Sequence, residues 1–467
     1  IKAMNRKRNI WILGLSTLLL IGILAFLFLS PKVEEVFPTD GLIDQIPSSE
    51  IEVKFSHPMD IDSVEEFLTI TPKVDGKFSW EENKMIFTPD EDWPEGVEIN
   101  ISLEKSAKSS LGLPLRQNFE WSFKISRIRL AYLWPLGVGA NLYLLDTISG
   151  ETKQLTFSKG LLDFDVDEAN RLIYFSALNA QGGSDLFVYD PYQEDLNRIL
   201  PCGNISCSDV QVSNSGDRLA YEQEDENGIS SIWVMTFGKD PDQVSLNGKI
   251  ADTPQWSPDG RLVYYDRTDQ KYVFVDETYN KLYEMDNITG EAGTWSLKGQ
   301  KFVVHEHFPF TSDTLRGPSG ELSNQIVSDE DLELEEIFSS HLLSLNTFTE
   351  EIDNLSGEET YIEDTEPAFS PDRWWLAFAR TDLGLEDIVI GRPMWIMRSD
   401  GTQQRYLTGD PNYRHSAFAW HPNVEQIALV RFNTILLTEP PEIWVVEVSD
   451  GTALRLVIGG FDPLWMP

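Results

Sequence analysis

A short motif that recurs along the C-terminal two thirds of the chain constrains the fold more than any other feature. Its clearest copy is Trp-Ser-Pro-Asp-Gly at residues 256–260, and a second copy, Phe-Ser-Pro-Asp, occupies residues 369–372. In both copies a short apolar segment precedes the polar turn and another follows it. A unit of about 40 to 50 residues with four strands, repeated at a regular period, is typical of a β-propeller.

The number of blades follows from the number of four-strand units. Complete units begin near residues 162, 208, 252, 292, 365 and 416. A further unit, between residues 128 and 157, has three strands and lacks the first. Residues 461–466 form an apolar segment that can supply the missing strand, which would close the ring and remove its open sheet edges. The sequence therefore predicts seven blades, with six as the alternative.

The Ser-Pro-Asp-Gly turns and the length of the units resemble those of the TolB-like and WD-like β-propellers, and this resemblance covers residues 127–467. It implies a fold and not an activity, because propellers serve as enzymes, receptors and scaffolds alike. Two units lack the Pro-Asp-Gly core, so the resemblance assigns no functional residue. By analogy of fold, it suggests a role in assembly of the cell envelope.

The first 29 residues predict a membrane anchor. Residues 1–9 contain four basic residues and no acidic one, and residues 10–29 are almost wholly apolar. An apolar helix of about 20 residues spans a bilayer core. The basic tail predicts a cytoplasmic N-terminus and an extracytoplasmic location for the rest of the chain. A cleaved signal peptide is the alternative, although the apolar run is long and no Ala-x-Ala site follows it.

Residues 33–126 form a separate unit. Apolar and polar residues alternate in several of its segments, such as 51–55 and 119–124, which predicts half-buried antiparallel strands. The length of the unit suits a β-sandwich. The motifs Phe-Pro-Thr-Asp-Gly at 37–41 and Phe-Ser-His-Pro-Met-Asp at 55–60 resemble the bacterial Ig-like domains of surface-layer proteins of the SbsA type. That resemblance implies a spacer or adhesion module.

The net charge limits the partners of the chain. Lys and Arg total 37 and Asp and Glu total 76, so the formal net charge is −39. Such a surface repels nucleic acid. The expected partners are therefore a protein or peptide at the cell envelope, together with the membrane around residues 10–29.

Cysteine and histidine residues offer few sites for covalent or metal chemistry. Cys202 and Cys207 are a candidate disulfide, because an oxidising exterior permits one, and a pair of free thiols is the alternative. His305 and His307 alternate along one strand and could bind zinc, but a third ligand is not evident. We therefore predict no metal site and no cofactor.

The candidate binding residues occupy one aligned position in the first strands. This position lies three residues before the aromatic residue of the strand, or before the residue that takes the place of the aromatic one. In chain order the residues at this position are Asp163, Asp209, Thr253, Ala292, Glu366, Ala417 and Asp462. Because the first strand of a blade is innermost, they are expected to surround the mouth of the central channel. The four acidic members, Asp163, Asp209, Glu366 and Asp462, would attract a cation or a basic peptide. In the alternative, they only accept hydrogen bonds from backbone amides at strand ends.

Long connections between second and third strands favour the same face of the propeller for binding. They include the acidic insertion 308–338 and the apolar segments 381–392 and 433–441. Long loops on a rigid scaffold often carry function, and exposed apolar residues there would mark a partner surface. In the alternative, these apolar residues pack on one another and cover the blades.

The sequence contains no Gly-x-Ser-x-Gly elbow, His-Glu-x-x-His motif, phosphate loop or dinucleotide fingerprint. We therefore predict an all-β, membrane-anchored binding or scaffold protein that is not an enzyme. One alternative is a hydrolase or lyase that acts on cell-surface glycan or peptide with carboxylates of the channel mouth. Another is a structural component of a surface layer, in which the Ig-like unit carries the function.

Overall fold

The computed structural model describes residues 29–45, 47, 49–137, 139–157, 160–296, 298–309, 338–358, 361–372, 374–383 and 391–466. The predicted cytoplasmic tail and all of the predicted anchor except Leu29 lie outside these residues. So does most of the 308–338 insertion. Within the described ranges, no helix is long and apolar enough to cross a membrane. The chain divides into two compact units between Ile128 and Arg129.

The first unit is built from two four-stranded sheets. In its described residues the strands are β1 Val33–Phe37, β2 Leu42–Gln45, β3 Ile51–Phe55, β4 Leu68–Thr71, β5 Gly76–Glu81, β6 Lys84–Pro89, β7 Glu98–Leu103 and β8 Phe119–Ile125. One sheet has the order β1-β3-β6-β5 and the other β2-β8-β7-β4. A short helix, α1 (Ile61–Phe67), precedes β4, and the Asp60 carboxylate caps it by accepting a hydrogen bond from the Ser63 amide.

Apolar side chains that alternate with polar ones along the strands form the core of this unit. In β3 the side chains of Ile51, Val53 and Phe55 are fully buried, whereas the residues between them are partly exposed. Trp93 lies in the same core, and its indole nitrogen donates to the Ser49 carbonyl at 2.7 Å. The unit is therefore a β-sandwich with one core of its own.

The second unit consists of four-stranded antiparallel sets. It begins with β9 Arg129–Trp134, β10 Asn141–Leu145 and β11 Thr152–Gln154. Three complete sets follow: β12 Leu161–Asp167, β13 Leu172–Leu178, β14 Ser184–Asp190 and β15 Asp195–Leu200; β16 Ser206–Val212, β17 Arg218–Glu224, β18 Ser230–Thr236 and β19 Asp242–Gln243; β20 Ala251–Trp256, β21 Leu262–Asp266, β22 Lys271–Val275 and β23 Lys281–Asp286.

Three more complete sets continue the chain: β24 Thr294–Trp295, β25 Lys301–Pro309, β26 Phe338–Asn346 and β27 Ile352–Asn354; β28 Ile362–Phe369, β29 Trp375–Asp382, β30 Met394–Arg398 and β31 Arg405–Thr408; β32 Tyr413–Trp420, β33 Gln426–Asn433, β34 Glu442–Glu447 and β35 Ala453–Ile458. The C-terminal strand β36 (Phe461–Met466) pairs antiparallel with β9 and thereby completes the set that β9–β11 begin. In the described residues there are thus seven sets of four strands.

The first strands of the sets, which are β12, β16, β20, β24, β28, β32 and β36, lie side by side. Residues of all seven line one cavity of about 540 Å³. Hydrogen bonds from indole nitrogens join neighbouring first strands. Trp256 donates to the Gln211 carbonyl and Trp420 donates to the Ala368 carbonyl, each at 2.9 Å. Four-stranded sets whose first strands surround a common channel are the arrangement of a β-propeller.

Candidate binding site at the channel mouth

A left-handed backbone marks the position that holds the candidate residues. In the described first strands, Asp209, Thr253, Glu366, Ala417 and Asp462 have φ angles of 52°, 52°, 53°, 51° and 48°. At each of them the strand pairing shifts register, which is the signature of a β-bulge. The bulge removes the local backbone from the ladder and reorients the side chain at the start of the strand.

Asp163 joins two neighbouring first strands. Its carboxylate accepts hydrogen bonds from the backbone amides of Asp209 at 2.9 Å and Val210 at 3.0 Å, and from the Ser176 hydroxyl. Burial nevertheless raises the pKa of Asp163, against the opposing effect of these bonds. Asp163 therefore has the structural role that the sequence analysis offers as the alternative.

Asp209 lies beside Asp163, but the surroundings of its carboxylate are different. Among the described residues its carboxylate has no hydrogen-bond or ion-pair partner. Burial raises the pKa of Asp209 to about 8, and the negative charges of Asp163, Glu222 and Asp252 add to the effect. Because Asp252 already forms an ion pair with Arg267, no cation in the described structure compensates Asp209.

The other two acidic residues occupy different surroundings. Burial and the charge of Asp163 raise the pKa of Asp462 to about 6, so Asp462 belongs with Asp163 and Asp209. We call these three residues the acidic cluster. Glu366 instead accepts a hydrogen bond from the Ala417 amide at 2.7 Å, and the charges that act on it are those of Glu291, Arg392 and Arg414. The structure thus brings together three of the four acidic candidates and places Glu366 apart from them.

None of the four acidic candidates lines the channel cavity described above. Its carboxylates are those of Asp165, Asp167 and Glu168, toward the ends of the first strands, where Pro258 and Pro371 of the turns also lie. Asp165 accepts hydrogen bonds from the Val212 and Val166 amides, and burial raises the pKa of Asp165 to about 7. Asp165 is not among the predicted candidates, because these were aligned only at the starts of the first strands. Its place two residues after Asp163, on the same face of β12, is the signal that could have found it.

The two histidines of β25 do not complete a metal site. His305 is buried, and neither of its ring nitrogens has a hydrogen-bond partner among the described residues. A carboxylate oxygen of Glu291 lies 3.6 Å from Nε2. Burial, with the charges of His307 and Arg392, lowers the pKa of His305 to about 4, so the ring is neutral at pH 7. Within the described part of the chain, no three His, Cys, Asp or Glu residues are arranged to hold a metal ion.

Two other predicted features are visible. Cys202 and Cys207 form a disulfide with an S–S distance of 2.04 Å. In the 433–441 connection, Leu436 and Leu437 have exposed fractions of 52% and 83%, so these side chains are not covered by the blades. The connection therefore presents apolar surface.

Comparison with known proteins identifies the first unit. Residues 29–125 match the family model of a bacterial Ig-like domain, which confirms the predicted Ig-like unit and begins it four residues before residue 33. The match covers a fifth of the chain and says nothing about the second unit. No curated protein sequence matches the chain.

The solved structures that match the chain have low sequence identity and low TM-scores. TolB from Acinetobacter baumannii is 11% identical, with 94% of this chain and 99% of that one covered and a TM-score of 0.43. An oligogalacturonate lyase from Vibrio parahaemolyticus is 15% identical over 64% of this chain and 73% of that one, with a TM-score of 0.40. A puromycin-hydrolyzing peptidase from Mycobacterium tuberculosis is 10% identical over 71% and 54%, with a TM-score of 0.47. The propeller arrangement of the second unit therefore rests on its own strand pairing.

Proposed function

We propose that the chain is a membrane-anchored, extracytoplasmic binding protein whose propeller takes a basic side chain of a protein or peptide partner at the channel mouth. Residues 10–29 would hold it in the cell membrane with a cytoplasmic N-terminus. The Ig-like unit, of the SbsA type, would act as a spacer. The seven sets of strands would form seven blades of one ring that β36 closes.

The uncompensated carboxylate of Asp209 carries this proposal. A buried carboxylate without a partner is costly, and a protein retains one where a ligand or a reaction uses it. A guanidinium or ammonium group placed against Asp209 would also approach Asp163 and Asp462. Three carboxylates in partly desolvated surroundings hold a cation more strongly than the exposed acids that cover the rest of the molecule.

Binding of a cation should release a proton. Because the pKa of Asp209 is about 8, the carboxyl is mostly protonated at neutral pH, and a bound cation favours its ionised form. Affinity should therefore rise as the pH increases from about 6 to about 8, by up to about tenfold per pH unit. Non-specific attraction to an acidic surface, whose carboxylates are already ionised in this range, lacks this dependence.

The test is calorimetric titration with the peptide acetyl-Ala-Ala-Arg-Ala-Ala-amide over this pH range. The matched control ligand carries citrulline, the neutral isostere of arginine. Asp209→Asn removes the charge and keeps a residue that tolerates the left-handed backbone. Glu350→Gln is the matched control variant, because Glu350 is an exposed acid with φ of 59° in a distant turn.

We expect Asp209→Asn to weaken binding about tenfold or more at pH 8 and to abolish the pH dependence, and Glu350→Gln to leave both unchanged. Equal binding of the citrulline peptide would rule out the cation. Equal losses in the two variants would show that only net charge matters.

Catalysis is the second candidate function, because a carboxyl group with a pKa near 8 beside an accepting carboxylate is the pairing that a general acid and base require. A hydrolase or lyase would convert a cell-wall glycan or peptide digest into new products, and Asp209→Asn would stop the conversion. Unchanged substrates, analysed by mass spectrometry after long incubation, would leave binding as the function.

A further inference from the structure

A second cavity lies between the last two complete sets of the propeller. Its volume is about 640 Å³, a size that accommodates a few amino-acid residues. Leu136, Phe432, Leu437 and Pro441 form its apolar walls. Three of these side chains remain exposed, with exposed fractions of 56% for Leu136, 38% for Phe432 and 83% for Leu437. The wall is thus available to an apolar group.

Two arginines lie together in the same cavity. The Arg392 amide donates to the Tyr413 carbonyl and the His415 amide donates to the Arg392 carbonyl, each at 3.0 Å. These bonds form a parallel bridge in which Arg392 and Arg414 are the paired residues. Paired residues project to the same side of a sheet, and both side chains line the cavity.

One of the two guanidinium groups has no direct hydrogen-bond or ion-pair partner. Arg392 forms an ion pair with Glu363 at 2.8 Å. Arg414 makes no hydrogen bond or ion pair with the described residues. The charges of Glu366, Glu363 and Glu291 act on it from a greater distance and favour its charged form, and the charge of Arg392 opposes them. The other carboxylate of the cavity, that of Glu439, already accepts hydrogen bonds from the Asn433 amide group at 2.8 Å and the Tyr413 hydroxyl at 3.3 Å. An unpaired arginine beside another arginine is therefore left in a chain whose net charge is −39.

We propose that this cavity binds the C-terminal carboxylate of a peptide chain that ends in an apolar residue. A guanidinium group binds a carboxylate through two parallel hydrogen bonds, and an anion here would relieve the repulsion between the two arginines. The terminal side chain would lie against Leu136, Phe432 and Leu437. Capture of a terminal carboxylate is a recurring mode of peptide recognition.

This site shares no residue with the acidic cluster, so the inference goes beyond the proposed function and fails or succeeds without it. The charges differ as well, since the acidic cluster takes a cation and this cavity an anion. A partner that bridges both sites would gain from their joint occupation. Each site is nevertheless testable with its own probe.

The experiment is fluorescence anisotropy of the full chain with a labelled peptide that ends in Ala-Val-Phe. The free-acid peptide is compared with its amide, which keeps the shape and removes the charge. Arg414→Gln is the test variant, because this exposed side chain makes no hydrogen bond or ion pair with the described residues that its loss would break. Lys239→Gln, which removes an exposed positive charge from a distant turn, is the matched control.

We expect the amide and Arg414→Gln each to weaken binding about tenfold or more, and Lys239→Gln and Asp209→Asn to leave it unchanged. Leu437→Ser should weaken binding of this peptide and not of one that ends in Gly. Equal binding of the free acid and the amide would overturn the proposal. Binding of decanoate with no binding of the peptide would also overturn it, and would assign the cavity to free aliphatic acids.

Discussion

Replacing Asp209 with Asn should stabilise the propeller at neutral pH, although it removes an ionisable group from the candidate binding site. In the folded chain the pKa of Asp209 rises from 3.8 to about 8, because burial and the charges of Asp163, Glu222 and Asp252 oppose ionisation. In the unfolded chain the carboxyl returns to its ordinary value of about 4. The native state therefore binds the proton more tightly than the unfolded state does.

The sign of the pH dependence follows from this difference. Below about pH 4 the carboxyl is protonated in both states and Asp209 has no cost. As the pH rises from about 4 to about 8 the unfolded state ionises and the native state does not, so stability falls by up to about 1.4 kcal/mol per pH unit. By pH 7, about three pH units above the pKa of the unfolded chain, the accumulated loss of stability is about 4 kcal/mol. The residue keeps some solvent exposure, which screens part of the repulsion, so we expect about 2 kcal/mol.

The assay is urea unfolding followed by tryptophan fluorescence at a series of pH values, with the transition of residues 129–466 analysed separately. Asp209→Asn should match the wild type near pH 4 and exceed it by an amount that grows up to about pH 8. Glu350→Gln should follow the wild type throughout. A constant difference between Asp209→Asn and wild type, or none, would refute the raised pKa and with it the argument for an uncompensated carboxylate.

Three further outcomes test other parts of the structure. Arg380→Met should destabilise the second unit by about 3 to 5 kcal/mol in urea unfolding, because it leaves the fully buried Asp364, now bonded to Arg380 at 2.6 Å, without its cation. Reduction of the Cys202–Cys207 disulfide, whose sequence separation is 5, should cost about 2 kcal/mol in the same assay. Trp93→Ala should lower the stability of the first unit by about 3 to 5 kcal/mol in thermal unfolding, and an unchanged midpoint would contradict its place in the core.

The repeated strands could be predicted from the sequence because their signal is local. The turn at residues 256–260 lies between β20 and β21, where the apolar segments on either side predict two strands. The alternation of Ile51, Val53 and Phe55 likewise predicts one buried face of β3, and these side chains are buried. Period-two patterns and turn residues depend on neighbours along the chain, so a single sequence contains them.

The surroundings of the candidate residues could not be predicted, because they depend on residues far apart in the chain. Asp163 meets the Asp209 amide only when two sets lie side by side, and nothing in either segment encodes that hydrogen bond. Arg392 and Arg414 are likewise paired through backbone atoms of different sets. In the sequence, Arg392 is only the last residue of the predicted 381–392 connection, and no motif marks Arg414.

The left-handed position explains why acidic residues at one aligned site have two different roles. A bulge in a first strand frees a backbone amide, which can donate a hydrogen bond to a carboxylate on the preceding first strand. Asp163 accepts such a bond from the Asp209 amide, and Glu366 accepts one from the Ala417 amide. The first strand that follows β36 around the channel is β12, where the register shift lies between Leu161 and Asp163, one residue earlier than in the other strands with a shift. Asp462 therefore meets no such amide. Asp209 does not bond the amide of Thr253, although β20 has the same bulge. The carboxylates that hold the blades together are thus separable from those that remain available to a ligand.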